Sequence, residues 1–232
     1  ALPPEQFAKL QKELPGEVFT TRTLATYSYE LNNKKAPFDN VNVRKALNLS
    51  LDRNVITDKV LGQGQTPTYV FTPTYIEEGH LIQQPAYSKE PMAQRNEEAI
   101  KLLEEAGYSK ANPLKFTILY NTNENHKKVA IAAASMWKAN TKGLIDVKLE
   151  NQEWKTYIDS RRAGRYDAAR AGWNADYNQA TTFGNYFLSN SSNNTAKYAN
   201  PEYDKAIAES YVATDAEGRA KAYAKAEEIP AK

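Results

Sequence analysis

Cysteine is missing altogether from these 232 residues. Its absence excludes disulfides, thiolate zinc sites, iron–sulfur clusters and a thiol nucleophile. It leaves the compartment open, because a cysteine-free chain suits oxidising and reducing spaces alike. Histidine is scarce: His80 and His126 are the only two, far apart in the chain, so a histidine-rich metal site is excluded. No metal and no cofactor is expected. Neither sign of charge dominates, since 30 Lys+Arg against 28 Asp+Glu leave +2. That is too little for the broad basic face that binds nucleic acid. No apolar run approaches the ~18–20 residues of a membrane helix. A glycine-rich phosphate loop, a G-x-S-x-G serine motif and a supported Ser/His/Asp order are also missing.

What is present is an ordinary globular composition: 41% hydrophobic and 25% charged residues. Wholesale disorder is therefore excluded. The chain opens on Ala1 with no leader pattern, which reads as a processed chain or a piece of a longer one. Hydrophobic spacing predicts helices over 3–14, 41–61, 91–106, 125–140, 153–162, 201–213 and 216–229. Alternation predicts strands over 18–22, 24–31, 114–120, 145–150 and 166–173. The clearest helix carries Ala99, Leu102, Leu103 and Ala106 on one stripe, with Gly107 placed to end it. Residues 63–90 have no period and read as a long irregular segment, a length uncommon unless it forms a working surface. The order β–α–β–α–β between 114 and 173 argues for an α/β layer of crossover units.

Chemistry is thinly marked. Asp176-Tyr-Asn178 begins like a calcium loop, but its twelfth position is Phe187 and its sixth is not glycine. Asp167 and Asp176 flank a strand, and no spacing rule makes them a paired acid and base. The segment that stands out is 166–178, Tyr-Asp-Ala-Ala-Arg-Ala-Gly-Trp-Asn-Ala-Asp-Tyr-Asn. It places an indole and a carboxylate at the C-terminal end of a strand, where open α/β sheets gather ligands. A core tryptophan followed by a loop aspartate is the alternative.

Three stretches carry a family resemblance. They are Pro37-Phe-Asp-Asn-Val-Asn-Val-Arg-Lys-Ala-Leu-Asn-Leu-Ser-Leu-Asp-Arg53, Asn96-Glu-Glu-Ala-Ile-Lys-Leu-Leu-Glu-Glu-Ala-Gly-Tyr108 and Asp167-Ala-Ala-Arg-Ala-Gly-Trp-Asn-Ala-Asp-Tyr177. Together they resemble the family 5 extracellular solute-binding proteins, which include dipeptide, nickel and oligopeptide receptors of ABC importers. Further segments at 29–38, 119–128, 151–155 and 188–196 are similar to the oligopeptide-binding members. The resemblance implies an α/β fold, one lobe of a two-lobed type II periplasmic-binding-protein architecture, with a mixed sheet flanked by helices and truncated. Residues 1–24 would be the tail of the first lobe and the crossover, and 25–232 an incomplete C-terminal ligand-binding lobe. The implied partners are short peptides, an inner-membrane ABC permease and the missing first lobe. The implied location is the periplasm. A murein-peptide receptor is the alternative within the family. A peptide hydrolase and a holdase-like module rich in exposed tyrosine are alternatives outside it, and the hydrolase lacks any catalytic constellation, so no enzyme is expected.

The same resemblance assigns site residues. Asp176 matches the aspartate that takes a peptide's α-amino group, a pairing of carboxylate with ammonium that suits pH 7. Arg170 and His126 match positions that meet the peptide's carboxylate, Arg170 with a fork suited to it. His126 would need protonation to donate from both nitrogens. Arg161 matches a pocket arginine, with a solvated helix face as the alternative. Trp154 and Trp173 match pocket walls, with core packing as the alternative. Asn121 and Glu30 match polar linings, with a turn residue and an exposed strand carboxylate as alternatives. Family members can carry a cysteine pair at the positions of Ala25 and Asn174; both are lost here together, and Asn174 sits between the two strongest matches.

Overall fold

Alternating apolar residues in four short segments build one mixed sheet. In the computed structural model, which describes residues 2–21, 23–213 and 215–231, these are β1 Ala25–Leu31, β2 Leu114–Asn121, β3 Ile145–Gln152 and β4 Ala168–Asn174. Their order is β1-β4-β2-β3. β2 runs parallel to both β3 and β4, and β1 is antiparallel to β4. The helices are α1 Pro4–Glu13, α2 Val41–Leu49, α3 Met92–Glu105, α4 Glu124–Asn140, α5 Trp154–Arg162, α6 Thr181–Gly184, α7 Pro201–Val212 and α8 Ala216–Ala231.

Period two decides which face each side chain joins. Phe116, Ile118 and Tyr120 of β2 lie with Ala168 on one face, under Ala130, Ala133 and Trp137 of α4. α2 and α3 extend the same core through Val43, Leu47, Ala99 and Leu103. Leu119 and Ala169 point the other way, where Tyr157 of α5 and Tyr166 cover them. The crossovers β2–α4–β3 and β3–α5–β4 thus wrap opposite faces. Because β4 returns to the far side of β2, the winding reverses between β2 and β4, the kind of switch point where open α/β sheets take ligands at the strands' C-terminal ends.

Residues 41–61 do not form one helix. α2 ends at Leu49, and Ser50 donates back to the Ala46 carbonyl at 2.7 Å. Asp52 restarts the chain by accepting from the Asn54 amide at 3.1 Å, and a π-helical stretch follows over Val55–Leu61. The carbonyls orphaned at the break are taken by side chains from other elements. Trp137 Nε1 donates to Leu47 O at 2.9 Å, Asn140 to Ser50 O at 2.8 Å and Arg95 to Leu51 O at 3.1 Å. A local stop is thereby turned into a tertiary joint.

Two further expectations change, and one element was not expected. Residues 18–21 pair with no strand, and Phe19 there is 82% exposed; Arg22 lies outside the described residues. β4 begins at Ala168, because Asn32 Nδ2 takes the Tyr166 carbonyl at 3.1 Å and the Asp167 carboxylate takes the Thr117 amide at 3.0 Å. Side chains there occupy groups a ladder would use. Short α6, with the 3₁₀ turn Asn185–Phe187 after it, left no period to read in the sequence.

The irregular segment 63–90 is confirmed as such, with only 3₁₀ turns at Gly79–Leu81 and Ala86–Lys89. α8 holds it at two points. The Glu227 carboxylate accepts from the amides of Phe71 (3.1 Å) and Thr72 (2.9 Å), and Glu78 pairs with Arg219 at 2.7 Å. A second core of Ile82, Ala180, Tyr203, Ile207 and Tyr223 sits beneath.

Candidate functional site

The C-terminal ends of β2, β3 and β4 share one edge, and the start of antiparallel β1 joins them. Helices α4 and α5 begin at that edge. The Asn123 side chain accepts from the amides of Asn125 and His126, and the Glu153 side chain from Lys155. All nine expected residues lie on these elements or in the loop after β4: Asn121, His126, Trp154, Arg170, Trp173, Asn174 and Asp176 toward the shared edge, Glu30 near the other end of β1, opposite Ala169. Arg161 comes from the far end of α5.

Arg170 is the centre of one group. Opposite Tyr29 in the β1–β4 register, it lays its guanidinium over the Tyr27 ring, 4.9 Å from the centroid. One nitrogen reaches Asn121 Oδ1 at 3.5 Å, the limit of a hydrogen bond. Its Nε is buried with no partner, and no carboxylate pairs with it among the described residues. Gly172, two residues on and on the same face, leaves the space: a Cβ there would come 3.0 Å from Arg170 Nη2. His126 completes the group, its Nδ1 sharing a hydrogen bond with Tyr27 OH at 3.2 Å. Burial, with the Arg170 charge beside it, lowers the His126 pKa to about 4. The imidazole is therefore neutral at pH 7 and offers a single N–H. A cation without a counter-ion beside a neutral imidazole is an arrangement that accepts an anion.

Glu30 is the centre of the second group. It is buried at 4% exposure, which removes the exposed-carboxylate alternative. Arg161 pairs with its Oε1 at 2.9 Å, Tyr186 OH donates to the same oxygen, and Thr195 Oγ1 donates to Oε2 at 2.5 Å. Arg161 is itself only 11% exposed, which removes the solvated-face alternative. Burial is the largest single influence and works against its charge, but Glu30 together with Tyr157 and Tyr186 outweighs it, and the pKa is raised. The two arginines expected at the site thus differ: one is neutralised and one is not.

The aromatic residues bridge these groups. Trp173 donates its indole N–H to Thr182 O at 2.8 Å and sets its ring edge-on to Tyr186, 5.3 Å between centroids. Trp154 is 53% exposed, stacked on Tyr157, so core packing does not explain it. Tyr157 in turn donates its hydroxyl to the Arg170 carbonyl. Asp176 is exposed: its amide donates to Thr182 Oγ1 at 3.0 Å, while its carboxylate accepts no hydrogen bond among the described residues. Asn174 lies directly opposite Ala25 in the β1–β4 register, so the two positions expected to have lost a cysteine pair are cross-strand neighbours.

Tyr27, Tyr157, Thr182, Tyr186 and Thr195 were not anticipated. Tyr27 had a readable signal in the alternation of β1. Tyr186 and Thr195 sit in aperiodic chain and are brought to Glu30 only by tertiary folding. Cavities of about 360 Å³ against Ile207 and Tyr211 and about 180 Å³ between Arg44, Tyr69 and Glu227 lie elsewhere, lined by none of the site residues.

Residues 1–195 match the family model described as "Bacterial extracellular solute-binding proteins, family 5 Middle". The chain is 96% identical over 228 residues to the periplasmic oligopeptide-binding protein OppA of Haemophilus influenzae, covering 98% of this chain and 42% of that protein. It is 43% identical to the periplasmic murein peptide-binding protein MppA of Escherichia coli, covering 99% and 42%. Among solved structures, the Haemophilus influenzae OppA complex with RPPGFSPFR superposes with a TM-score of 0.96 at 95% identity, over 99% of this chain and 45% of that one. The unliganded open form of MppA gives 0.91 at 42% identity, over 100% and 44%. This chain spans less than half the length of these relatives. By this match over residues 1–195, and with the mixed, doubly wound sheet its relatives share, the chain belongs to the family 5 bacterial extracellular solute-binding proteins.

Proposed function

We propose that this chain forms the peptide-receiving lobe of a periplasmic receptor that delivers short peptides to an inner-membrane ABC permease. The observation that carries the reading is the pairing of opposite, uncompensated charges at one sheet edge. Arg170 has no carboxylate partner and Asp176 has no donor, among the described residues. A peptide with free termini offers the complementary pair, a carboxylate and an ammonium. Trp154 and Trp173 then serve as walls beside the backbone, and Asn121, His126 and Asn174 as polar lining. The names of the relatives support the oligopeptide reading over the murein-peptide one, which uses the same scaffold at lower identity. Binding without catalysis is the reading: His126 rests against a tyrosine hydroxyl and an arginine, a setting that suits anion capture.

The domain reading belongs to this proposal. Residues 25–232 are assigned to the second lobe and 1–24 to the tail of the first. In support, α1 buries none of its residues against the rest of the chain. One lobe supplies one wall of an enclosure, so the isolated chain is expected to bind peptide weakly. In a full-length context, Asp176→Asn should weaken a free peptide at least tenfold more than its N-acetylated form, read by titration calorimetry. Equal losses for both would remove the ammonium role.

A further inference from the structure

Asp176 stands in a loop, and a loop needs ties to hold a carboxylate in place. The Ala175 amide still bonds to β1's entry, donating to Leu24 O at 2.7 Å. Thr182 ties the inner side: its Oγ1 accepts from the Asp176 amide at 3.0 Å and its carbonyl from the Trp173 indole at 2.8 Å. In the triplet Asp176-Tyr-Asn178 the asparagine is the outer tie. Its Oδ1 accepts from the Glu77 amide at 2.8 Å, across 101 positions of chain. Glu77 is a fixed point. It is exposed, but Ile76, Glu78 and Gly79 beside it are buried. Glu78 is left-handed at φ 69°, a conformation a glutamate takes at a cost, and such strain clusters at functional sites. Its buried carboxylate pairs with Arg219 of α8 at 2.7 Å. Gly79 permits the tight turn, since a Cβ there would stand 2.1 Å from Pro73 O.

We propose that Asn178 is a positioning residue for Asp176. By taking the Glu77 amide it pins the loop after β4 to the turn 73–79, which α8 holds in turn through Glu78 and Arg219. The carboxylate is thereby set at the sheet edge before a peptide arrives, so binding does not have to order it. Asn178 acts through Asp176 and needs no contact with the peptide. The inference rests on the peptide reading above and adds to it the tie that places the ammonium acceptor.

The test measures, by titration calorimetry in a full-length context, the affinity ratio between a free peptide and its N-acetylated form. Asn178 is exposed, so its variants are expected to fold, and the thermal midpoint checks this. Asn178→Ala should lower the free-over-acetylated ratio about three- to tenfold, the worth of one neutral hydrogen bond. Asn178→Asp keeps the accepting oxygen and should hold the ratio at or above its unsubstituted value. Adding Asn178→Ala to Asp176→Asn should change the ratio no further, because the tie acts only through that carboxylate. A role in stability alone would lower the midpoint and leave the ratio unmoved. An unmoved ratio in Asn178→Ala would overturn the proposal, as would a loss in Asn178→Asp matching that in Asn178→Ala, or an additive loss in the double variant. If Asp176→Asn by itself leaves the ratio unmoved, the ammonium reading fails and this inference with it. If Asp176→Asn moves the ratio and Asn178→Ala does not, this inference alone fails.

Discussion

The sheet half and the helical flank of this molecule are held by different means. In the sheet half, β2, β3, β4, α4 and α5 enclose apolar side chains, and Ile118, Ile145, Ala133 and Ala168 are fully buried. In the flank, the irregular segment 63–90 is tied to α8 by carboxylates, Glu227 to the amides of Phe71 and Thr72 and Glu78 to Arg219. Apolar burial needs periodic sequence; side-chain clamps need only single residues in the right place. The edge carrying the candidate site lies where the two meet. The Phe71 carbonyl accepts from Thr26 of β1 at 2.6 Å, and the Phe71 ring packs 5.0 Å from Tyr186.

The comparison breaks first at Trp137. This indole is 3% exposed, packs on Phe116 and closes the end of α2. Trp137→Ala should cost about 3–5 kcal/mol by cavity formation and loss of the Leu47 bond, seen as a large drop in the denaturation midpoint. Glu227→Ala should cost about 1–3 kcal/mol, since two amides lose their acceptor. Hydrogen exchange should localise that loss to Phe71 and Thr72 and spare β2. A change spread evenly over both halves would erase the distinction.

The smallest effect is also the sharpest, because the two halves respond to pH with opposite sign. Burial lowers the His126 pKa from 6.5 to about 4. Between those values the unfolded chain binds the proton and the fold does not, so His126 stabilises above pH 6.5 and that contribution is lost as pH falls toward 4. Burial raises the Glu227 pKa despite its three donors. Its contribution is full below the ordinary glutamate value and is lost as pH rises through the folded one. His126→Gln should flatten the acid side of the stability profile and Glu227→Gln the rise-of-pH side. Profiles unchanged by both substitutions would contradict these environments.

The same division explains what could be read from the residues. Helices such as α3 and strands such as β2 bury one face, so period alone located them to within a residue or two. The break at Ser50–Asp52 was missed because it depends on Trp137, Asn140 and Arg95 arriving from elsewhere to satisfy its carbonyls. The start of β4 was misplaced because Asn32 and Asp167 took its backbone groups. At the edge, family motifs named Asp176, Arg170 and Trp173 and gave Arg170 and Arg161 different roles, but nothing in the sequence showed which of the two has a carboxylate beside it. Only folding sets Glu30, Tyr186 and Thr195 around the second and leaves the first without a carboxylate partner among the described residues.

That unpaired cation is the most direct handle on the proposed function. Calorimetric affinities of a short peptide series, each with a free and an amidated C-terminus, should be measured for the full-length protein with Arg170 and with Arg170→Gln. For the length that reaches Arg170, amidation should weaken binding to the unsubstituted protein by roughly 10–100-fold, the worth of a charge-assisted contact, and should cost Arg170→Gln almost nothing. An amidation penalty of the same size in both proteins, at every length, would contradict the account.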